Sequence, residues 1–198
     1  MKTLLITAFD PFGGEAVNAA WEAACALPDQ IGEWRIDKLQ LPTVFGKAFE
    51  KARAYAEKIS PQMIIALGQA AGRNQVTPEM VAINWRYARI ADNDGAEPRD
   101  ERIIPDGPDA YFTRLPVRRM EKAIAAAGVP GAVSYSAGAY VCNDLMYSLA
   151  HHYRDSGTIT GFIHVPLLPC HAREGQPAMP LEDIVKALEA AILALDKE

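Results

Sequence analysis

The sequence predicts an α/β protein in which helices cover the faces of a sheet. Short apolar runs of strand length alternate along the chain with segments whose apolar residues recur every three or four positions. Two of these runs, "KTLLITA" and "QMIIALG", are apolar almost throughout, as expected for strands buried on both faces. The chain has 198 residues, of which 49% are hydrophobic, so we expect one domain with a sizeable core over residues 1–198.

Local signals place the elements along the chain. The first run imitates a secretory signal, but Asp10 ends it and no small-residue cleavage site follows, so it is interpreted as a strand over 2–8. Ser60-Pro61 ends one predicted helix, and Gly128 and Gly157 end two others. The predicted helices cover 20–27, 44–59, 117–128, 141–157 and 181–195, and the further strands cover 34–41, 62–68, 79–90 (a strand or a hairpin arm), 131–136 and 158–166.

The segment 91–108 is the longest stretch without periodicity and is rich in Asp, Pro and Gly. Loops of this length in compact domains are usually functional or mobile. Two roles remain open at this point, a cover over a functional site and a contact between subunits.

Composition excludes several classes of function. The net charge of −5 argues against a nucleic-acid partner, and no apolar segment approaches the length of a membrane span. Cys25, Cys142 and Cys170 are odd in number and widely spaced, which fits neither a disulfide framework nor a Cys-x-x-Cys metal site. A reducing cytoplasm is the expected location, and no metal is predicted.

Cys142 is the strongest candidate for chemistry. It lies in the first turn of a predicted helix, where free backbone N–H groups and the helix dipole favour an anion, so the sequence predicts a lowered thiol pKa. The same N–H groups could bind the oxyanion that forms when a thiolate attacks a carbonyl. The alternative is that Cys142 is a small buried hydrophobic residue, which we assign to Cys25 in its alanine-rich helix. Cys170 follows a Pro-rich turn beside His171 and is a weak candidate.

Two further residues could complete a catalytic site. His164 lies between Ile163 and Val165 on a predicted buried strand, where its ring needs hydrogen-bond partners. If it faces Cys142, it can serve as a general base and then as a general acid; otherwise it is a satisfied core histidine. Glu79 could turn into a cleft from a junction between loop and strand and orient that imidazole, although a solvated loop carboxylate is the alternative.

Five ordered segments together resemble pyroglutamyl peptidase type I, the pyrrolidone-carboxylate peptidases. The longest is "VSYSAGAYVCNDLMYSLA", followed by "GQAAGRNQVTPEMVAIN" and by the shorter "FDPFGGEAVN", "DGPDAYF" and "GFIHVPLLP". The resemblance covers nearly the whole chain. It implies a three-layer α/β/α sandwich around an open, mixed, mostly parallel twisted sheet. It also implies a cysteine peptidase that removes N-terminal pyroglutamyl residues from peptides without a metal or cofactor.

The resemblance carries specific roles onto matching positions. Cys142 is implied as the nucleophile, His164 as the base and Glu79 as the orienting carboxylate. Arg89 matches an arginine associated with the site, near the oxyanion, with a surface salt bridge as the alternative. The pyroglutamyl ring is a small uncharged lactam, which calls for aromatic walls and a few hydrogen-bonding groups. The expected substrate-binding residues are Phe9, Phe12, Asn18, Gln69, Tyr140 and Val141.

Some positions depart from the family pattern without removing a proposed catalytic group. The departures, which could reshape the pocket wall, are Ala8, Ala19, Ala20, Met80 and Tyr87. Two other functions therefore remain open: a hydrolase for another small cyclic acyl amide, and a binding module without turnover. Gly13-Gly14 could suggest a phosphate loop, but the Walker lysine is missing. The resemblance also suggests a homo-oligomer, commonly a tetramer.

Overall fold

The apolar runs of the sequence form the centre of a six-stranded sheet. The computed structural model describes residues 1–196, so the predicted domain end at residue 198 lies outside the described residues. The strand order is β2-β3-β1-β4-β8-β5, and β6 and β7 pair separately as an antiparallel hairpin. The strands are β1 Lys2–Phe9, β2 Gln30–Ile31, β3 Trp34–Leu41, β4 Met63–Gln69, β5 Thr77–Pro78, β6 Val81–Ile83, β7 Ala110–Phe112 and β8 Ile159–Val165.

The pairing of the strands confirms the mixed, mostly parallel sheet. The four inner strands β3, β1, β4 and β8 run parallel to one another, whereas β2 and β5 at the two edges are antiparallel to their neighbours. The carboxyl ends of β1, β4 and β8 therefore meet at one edge of the sheet, which is where ligands bind in open α/β sheets.

Helices cover both faces of the sheet, as the resemblance implies. Along β1, Leu4 and Ile6 join one hydrophobic cluster and Leu5 and Phe9 join the other, because successive side chains point to opposite faces. The first cluster includes residues of α1, α3 and α5, and the second includes residues of α2 and α4. The helices are α1 Ala19–Ala26, α2 Lys47–Ile59, α3 Val117–Ala126, α4 Val141–His152 and α5 Leu181–Leu193, with a 3₁₀ turn at Ala194–Asp196.

The assignment of Cys25 to the core was wrong, since this residue is exposed. Helix α1 has only eight residues and buries Ala19, Ala20, Ala23 and Ala24 against the sheet. Cys25 lies about 100° further around the helix axis than Ala24, so its side chain points away from the sheet.

Several predicted element boundaries also differ from the structure. The predicted strand over 79–90 is strand only at β6, because the backbone from residue 84 onward bonds to loop segments: the N–H of Arg86 donates to the carbonyl of Glu101, and that of Tyr87 to Ala139. The segment 131–136 makes only isolated bridges, from Gly131 and Ser134 to the β5 region. Helix α4 ends at His152 rather than at 157. The short strands β2, β5 and β7 were not predicted.

No helix within residues 1–196 combines the length and the apolar character needed to cross a membrane.

Candidate active site

His164 and Gly68 mark the position of the site at the carboxyl edge of the sheet. Gly68 of β4 is paired with His164 of β8. The next pair, Gln69 and Val165, is the last one between these two strands. Phe162 and His164 are two residues apart on β8 and so point to the same face, with ring centroids 4.7 Å apart. This is the face that α2 and α4 cover.

Glu79 and His164 form a buried hydrogen-bonded pair. The imidazole Nδ1 lies 2.7 Å from Oε1 of Glu79, and the carboxylate is completely buried. The two residues are brought together because β5 pairs with β8 and Glu79, the residue directly after β5, donates its N–H to the carbonyl of Phe162. An ionised Glu79 can only accept, so Nδ1 carries the proton and Nε2 is left as the acceptor. Glu79 is therefore not a solvated loop carboxylate, and His164 is not a core histidine without a charged partner, as the two alternatives from the sequence would have it.

Cys142 lies directly above this strand edge. It is the second residue of α4, whose N-cap Tyr140 makes no side-chain hydrogen bond to the first turn. A Cβ atom placed on Gly68 would be 2.9 Å from Sγ of Cys142 and 2.9 Å from the ring of Phe162. The thiol therefore occupies the space that a side chain at position 68 would fill, on the same face of the sheet as His164.

The pKa of Cys142 differs from the sequence-based expectation. Burial of the thiol and the nearby charge of Glu79 raise it to about 12, and the opposing effects of Arg73 and of the residue's own backbone N–H are smaller. The expectation of a lowered pKa was wrong because the helix end is packed against Gly68 and Phe162 instead of facing open solvent. The raised pKa favours the neutral form of the Cys142 thiol at neutral pH.

His164 and Glu79 are also shifted. Burial lowers the pKa of His164 below its usual 6.5, and Arg73 adds to this shift, while the hydrogen bond and charge of Glu79 oppose it. Burial raises the pKa of Glu79, but the hydrogen bond to His164 and its charge, followed by the side chain of Ser134 and the charge of Arg73, outweigh this and lower the pKa overall. These shifts favour a neutral imidazole and an ionised carboxylate at neutral pH, on the face of the sheet where Cys142 lies over Gly68.

Two buried polar residues that the sequence analysis missed fix the first turn of α4. The side-chain amide of Asn143 accepts from the N–H of Ile83 at 2.9 Å and donates to the carbonyls of Ile83 and Trp85. Asp144 accepts from Arg86 Nε at 2.5 Å and from the N–H of Gly46 at 2.9 Å. The sequence feature that could have identified them is the polar pair "ND" directly after Cys142, in a helical turn whose other residues are mostly apolar and packed into the core.

Arg73 is a further residue that was not predicted. Its Nη1 donates to Oε1 of Glu79 at 2.7 Å and also contacts the hydroxyl of Thr77, and its Nη2 donates to the carbonyl of Ser136 at 3.0 Å. The other carboxylate oxygen of Glu79 is buried and makes no hydrogen bond within the described part of the chain. Arg73 was missed because its contact with the carbonyl of Ser136, 63 residues further along the chain, forms only in the folded protein.

Aromatic side chains surround the approach to Cys142. The ring of Tyr140 lies 6.1 Å from that of Phe12 and 5.3 Å from that of Phe45, which the sequence analysis did not single out. The hydroxyl of Tyr140 donates to the carbonyl of Ala91, and burial raises its pKa to about 12. Phe9 packs deeper, with its ring 6.4 Å from that of Phe162.

Val141 is fully buried beside Cys142. Of the residues expected to bind substrate, Phe12 and Tyr140 are partly exposed, whereas Phe9 and Val141 belong to the core that supports the site.

Asn18 and Gln69 hold the first loop against the sheet. Asn18 caps α1 by accepting from the N–H of Ala20 and donates to the carbonyl of Asp10 at 3.2 Å. The side-chain oxygen of Gln69 accepts from the N–H of Ala19 at 2.8 Å. The amide nitrogen of Gln69 makes no hydrogen bond among residues 1–196 and is left to bind another group.

Arg89 lies in an exposed segment beside the site. The N–H of Tyr87 donates to the carbonyl of Ala139, and a Cβ atom on Gly13 would lie 3.7 Å from the side chain of Ile90, so the segment runs between the first loop and the start of α4. Arg89 is exposed and makes neither a salt bridge nor a hydrogen bond within the described residues. The alternative of a surface salt bridge therefore does not apply here.

The loop 91–108 is tied to the same region at its start. The side chain of Asn93 donates to Asp10 at 3.0 Å and to the carbonyl of Pro11 at 2.9 Å. The carboxylate of Asp92 accepts from the backbone of Phe45, Asp94 and Ala96. This part of the loop is ordered by its own turn and borders the entrance.

Of the five departures from the pattern that the resemblance implies, four pack against the core and Tyr87 does not. Ala8, Ala19 and Ala20 are completely buried, and Met80 packs against the core. Tyr87 is 40% exposed, and the guanidinium of Arg99 lies 5.2 Å from its ring centroid.

Within residues 1–196, no group of three or more His, Cys, Asp or Glu side chains is arranged to hold a metal ion.

The fold and the site define a cysteine-type hydrolase on a three-layer α/β/α sandwich. Comparison with known proteins is more specific. The family model described as pyroglutamyl peptidase matches residues 1–198, and this chain belongs to that family.

Individual relatives agree with this assignment over nearly the full length. A pyrrolidone-carboxylate peptidase of Bacillus mycoides is 47% identical over 197 residues, which cover 97% of this chain and 92% of that protein. The crystal structure of pyroglutamyl peptidase I from Bacillus amyloliquefaciens superposes with a TM-score of 0.94 at 44% identity, covering 98% of this chain and 97% of that one. The pyrrolidone carboxyl peptidase of Thermococcus litoralis gives a TM-score of 0.94 at 38% identity, with coverages of 98% and 93%.

Proposed function

We propose that this chain is a cysteine omega-peptidase that removes the N-terminal pyroglutamyl residue from peptides. Cys142 is the nucleophile, His164 the general base and general acid, and Glu79 the orienting carboxylate. The observation that carries the proposal is the convergence of three distant segments at one sheet edge. The thiol lies over Gly68, His164 is paired with Gly68, and the carboxylate bonds to Nδ1 of that histidine.

The first half of the reaction forms a thioester. Because thiol and imidazole are both neutral at rest, the proton of Cys142 passes to Nε2 of His164 as Sγ attacks the pyroglutamyl carbonyl carbon. The imidazolium that forms is stabilised by Glu79. It then donates its proton to the leaving amine nitrogen as the C–N bond breaks, which releases the shortened peptide.

The second half hydrolyses the thioester. Nε2 of His164 takes a proton from water, the resulting hydroxide attacks the thioester carbon, and the proton returns to Sγ as the C–S bond breaks. In both halves the developing oxyanion is next to the first turn of α4, whose uncapped N–H groups stabilise negative charge. The unpaired guanidinium of Arg89, in the neighbouring segment, supports the same charge.

The lactam ring is recognised by shape and by a few hydrogen bonds. Phe12 and Tyr140 supply aromatic walls at the entrance, while Phe9 and Val141 form the floor behind them. The amide nitrogen of Gln69 donates to the lactam carbonyl. Asn18 acts indirectly by fixing the loop that carries Phe12.

Release of a fluorescent amine from a pyroglutamyl amide, measured in reducing buffer, tests the proposal. We expect turnover by the unaltered protein and its loss in both Cys142→Ala and His164→Ala. Cys170→Ala is the matched control, since Cys170 is an exposed cysteine, and it should keep full activity. Full activity of Cys142→Ala would contradict the mechanism.

A prolyl amide of the same amine separates the substrate classes, because proline lacks the lactam carbonyl. Equal turnover of both substrates would indicate a hydrolase for other small cyclic acyl amides. A folded protein that turns over neither substrate, and in which His164→Ala leaves the rate of Cys142 alkylation by iodoacetamide unchanged, would be a binding module with an unactivated Cys142.

The homo-oligomer, the cytoplasmic location and the single domain over residues 1–198 stay predictions. The exposed side chains of Ile83 and Phe112 on the β6–β7 hairpin offer an apolar surface for association, and sedimentation equilibrium measures the assembly. Both hydrophobic clusters pack on the same sheet, which supports a single domain.

A further inference from the structure

Arg73 connects three parts of the site through one guanidinium group. It bonds to the carboxylate of Glu79 and to the hydroxyl of Thr77 with Nη1, and to the carbonyl of Ser136 with Nη2. Thr77 is the β5 residue paired with His164, and Ser136 begins the loop that leads to Cys142. The segments that carry the carboxylate, the base and the nucleophile are therefore joined at this arginine.

The contact with Glu79 is shared with the base. Oε1 of Glu79 lies 2.7 Å from Nη1 of Arg73 and 2.7 Å from Nδ1 of His164. The carboxylate is completely buried, whereas the arginine side chain is 27% exposed. A buried carboxylate needs a compensating charge, and that charge can come from Arg73 or from a protonated His164.

We propose that Arg73 is a positioning residue that holds Glu79 against His164 and supplies the positive charge that this carboxylate requires, so that the imidazole remains a neutral proton acceptor. The inference rests on the proposed function and assigns a role to a residue outside the three that carry out the reaction. Without Arg73, the cation left to compensate Glu79 among residues 1–196 would be an imidazolium, which cannot accept the thiol proton.

The electrostatic surroundings of His164 are simple enough for this proposal to be tested. Glu79 bonds to its ring from the segment after β5, and the charge of Arg73 acts on it from the loop after β4, while Cys142 of α4 lies over Gly68, the residue paired with His164. Arg73 lowers the pKa of His164 and also lowers that of Cys142. Removing its charge therefore favours protonated histidine and disfavours ionised cysteine, and both changes slow proton transfer at neutral and acidic pH.

The test compares the dependence of kcat/KM on pH for Arg73→Gln and Arg73→Lys with that of the unaltered protein. For Arg73→Gln we expect the acidic limb to move to higher pH, with a loss on the order of tenfold at pH 6 that becomes smaller toward pH 8. Arg73→Lys should keep the limb in place, because the charge remains, but should lower the rate, because an ammonium group cannot bridge Glu79 and Ser136 in the same way.

Arg102→Gln is the matched control. Arg102 also joins a carboxylate, that of Asp109 at 2.9 Å, to a backbone carbonyl, that of Gly107 at 2.8 Å, but contacts neither His164 nor Glu79. This variant should leave the pH profile unchanged. If the acidic limb of the kcat/KM profile of Arg73→Gln coincides with that of the unaltered protein, the proposal is overturned, even if the variant melts at a lower temperature.

A readout without substrate separates this inference from the proposed function. The rate of Cys142 alkylation by iodoacetamide as a function of pH reports the thiol and its base even if pyroglutamyl amides are not turned over. It should fall at neutral pH in Arg73→Gln, and an unchanged alkylation profile would contradict the role of Arg73. If Arg73→Gln does not fold, Arg73→Lys decides, because full activity and alkylation at every pH in that variant would overturn the bridging role.

Discussion

Two buried carboxylates in this protein pair with arginine and yet serve different purposes. Glu79 and Asp144 are both completely inaccessible, and their partners Arg73 and Arg86 are 27% and 22% exposed. Asp144 has hydrogen bonds to both oxygens, from Arg86 and from the N–H of Gly46. Glu79 concentrates two donors on Oε1 and leaves Oε2 without a partner in the described chain.

Under the proposed function, this difference separates an ion pair that only stabilises the fold from one that takes part in the reaction. The Asp144 pair is saturated and fixes the first turn of α4, so its contribution is to stability and to the placement of the helix. Only one carboxylate oxygen of Glu79 has hydrogen-bond donors, and one of these donors is the imidazole of His164, which can titrate. The carboxylate can therefore stabilise the charge of that imidazole when it gains a proton. Substitutions at matched positions can test this contrast.

The largest expected effect is that of Glu79→Gln on activity. A glutamine can donate a hydrogen bond to Nδ1 of His164 and so favour the tautomer whose Nε2 cannot accept a proton. We expect kcat to fall roughly 10³- to 10⁴-fold, as for loss of the carboxylate in other catalytic triads, with the fold retained by circular dichroism. A loss below about tenfold would show that Glu79 is no more important to the reaction than a structural carboxylate.

The matched substitution Asp144→Asn should instead lower stability. It removes a buried charge from a saturated pair, and we expect the free energy of unfolding to fall by about 3 kcal/mol in urea titrations. Activity per folded molecule should be largely kept, because Asp144 does not contact the imidazole. If this variant lost as much activity as Glu79→Gln at unchanged stability, the distinction between the two pairs would fail.

Gly68→Ala tests how tightly Cys142, the proposed nucleophile, is held over the sheet. The new methyl group would be 2.9 Å from both Sγ of Cys142 and the ring of Phe162, so the thiol must move away from its productive position. We expect kcat to fall about 10²-fold, since displacements on the order of 1 Å carry such costs. Gly157→Ala is the control, because no atom lies within 4 Å of its Cβ position, and it should behave like the unaltered protein.

The smallest effect expected is a dependence on pH. Because burial lowers the pKa of His164 below 6.5, the acidic limb of kcat/KM should lie below pH 6.5. The unfolded chain binds a proton at His164 more readily than the folded chain does, so stability should decrease as pH falls from about 6.5 toward the folded pKa. Unfolding titrations across this range should show this loss, which His164→Gln should reduce. An acidic limb above pH 6.5 would mean that His164 is charged at rest.

Sequence patterns predicted the parts of the molecule that depend on local spacing. The buried strands β1, β4 and β8 are encoded in nearly continuous apolar runs, and their carboxyl ends identified the region of Cys142 and His164. The position of Glu79 before an apolar run made it a candidate to orient His164 but left a solvated carboxylate as the alternative, and only the family motifs favoured one of the two, since 85 residues separate Glu79 from His164.

The parts that could not be predicted depend on contacts between distant segments. The direction of the Cys142 pKa shift follows from packing against Gly68 and Phe162, which the first turn of a helix does not disclose. Arg73 and Phe45 acquire their positions only when loops from different strands meet. Cys25 was misplaced because an alanine-rich helix has no clear polar face to show which side is buried.

The most direct test of the central claim is to trap the acyl-enzyme. The protein is mixed with a pyroglutamyl ester, quenched in acid within the first turnover and digested, and the cysteine peptides are analysed by mass spectrometry. We predict one pyroglutamyl group on the peptide that contains Cys142, and none on that peptide in Cys142→Ala. Turnover with no adduct, or with the adduct on Cys25 or Cys170, would contradict the account.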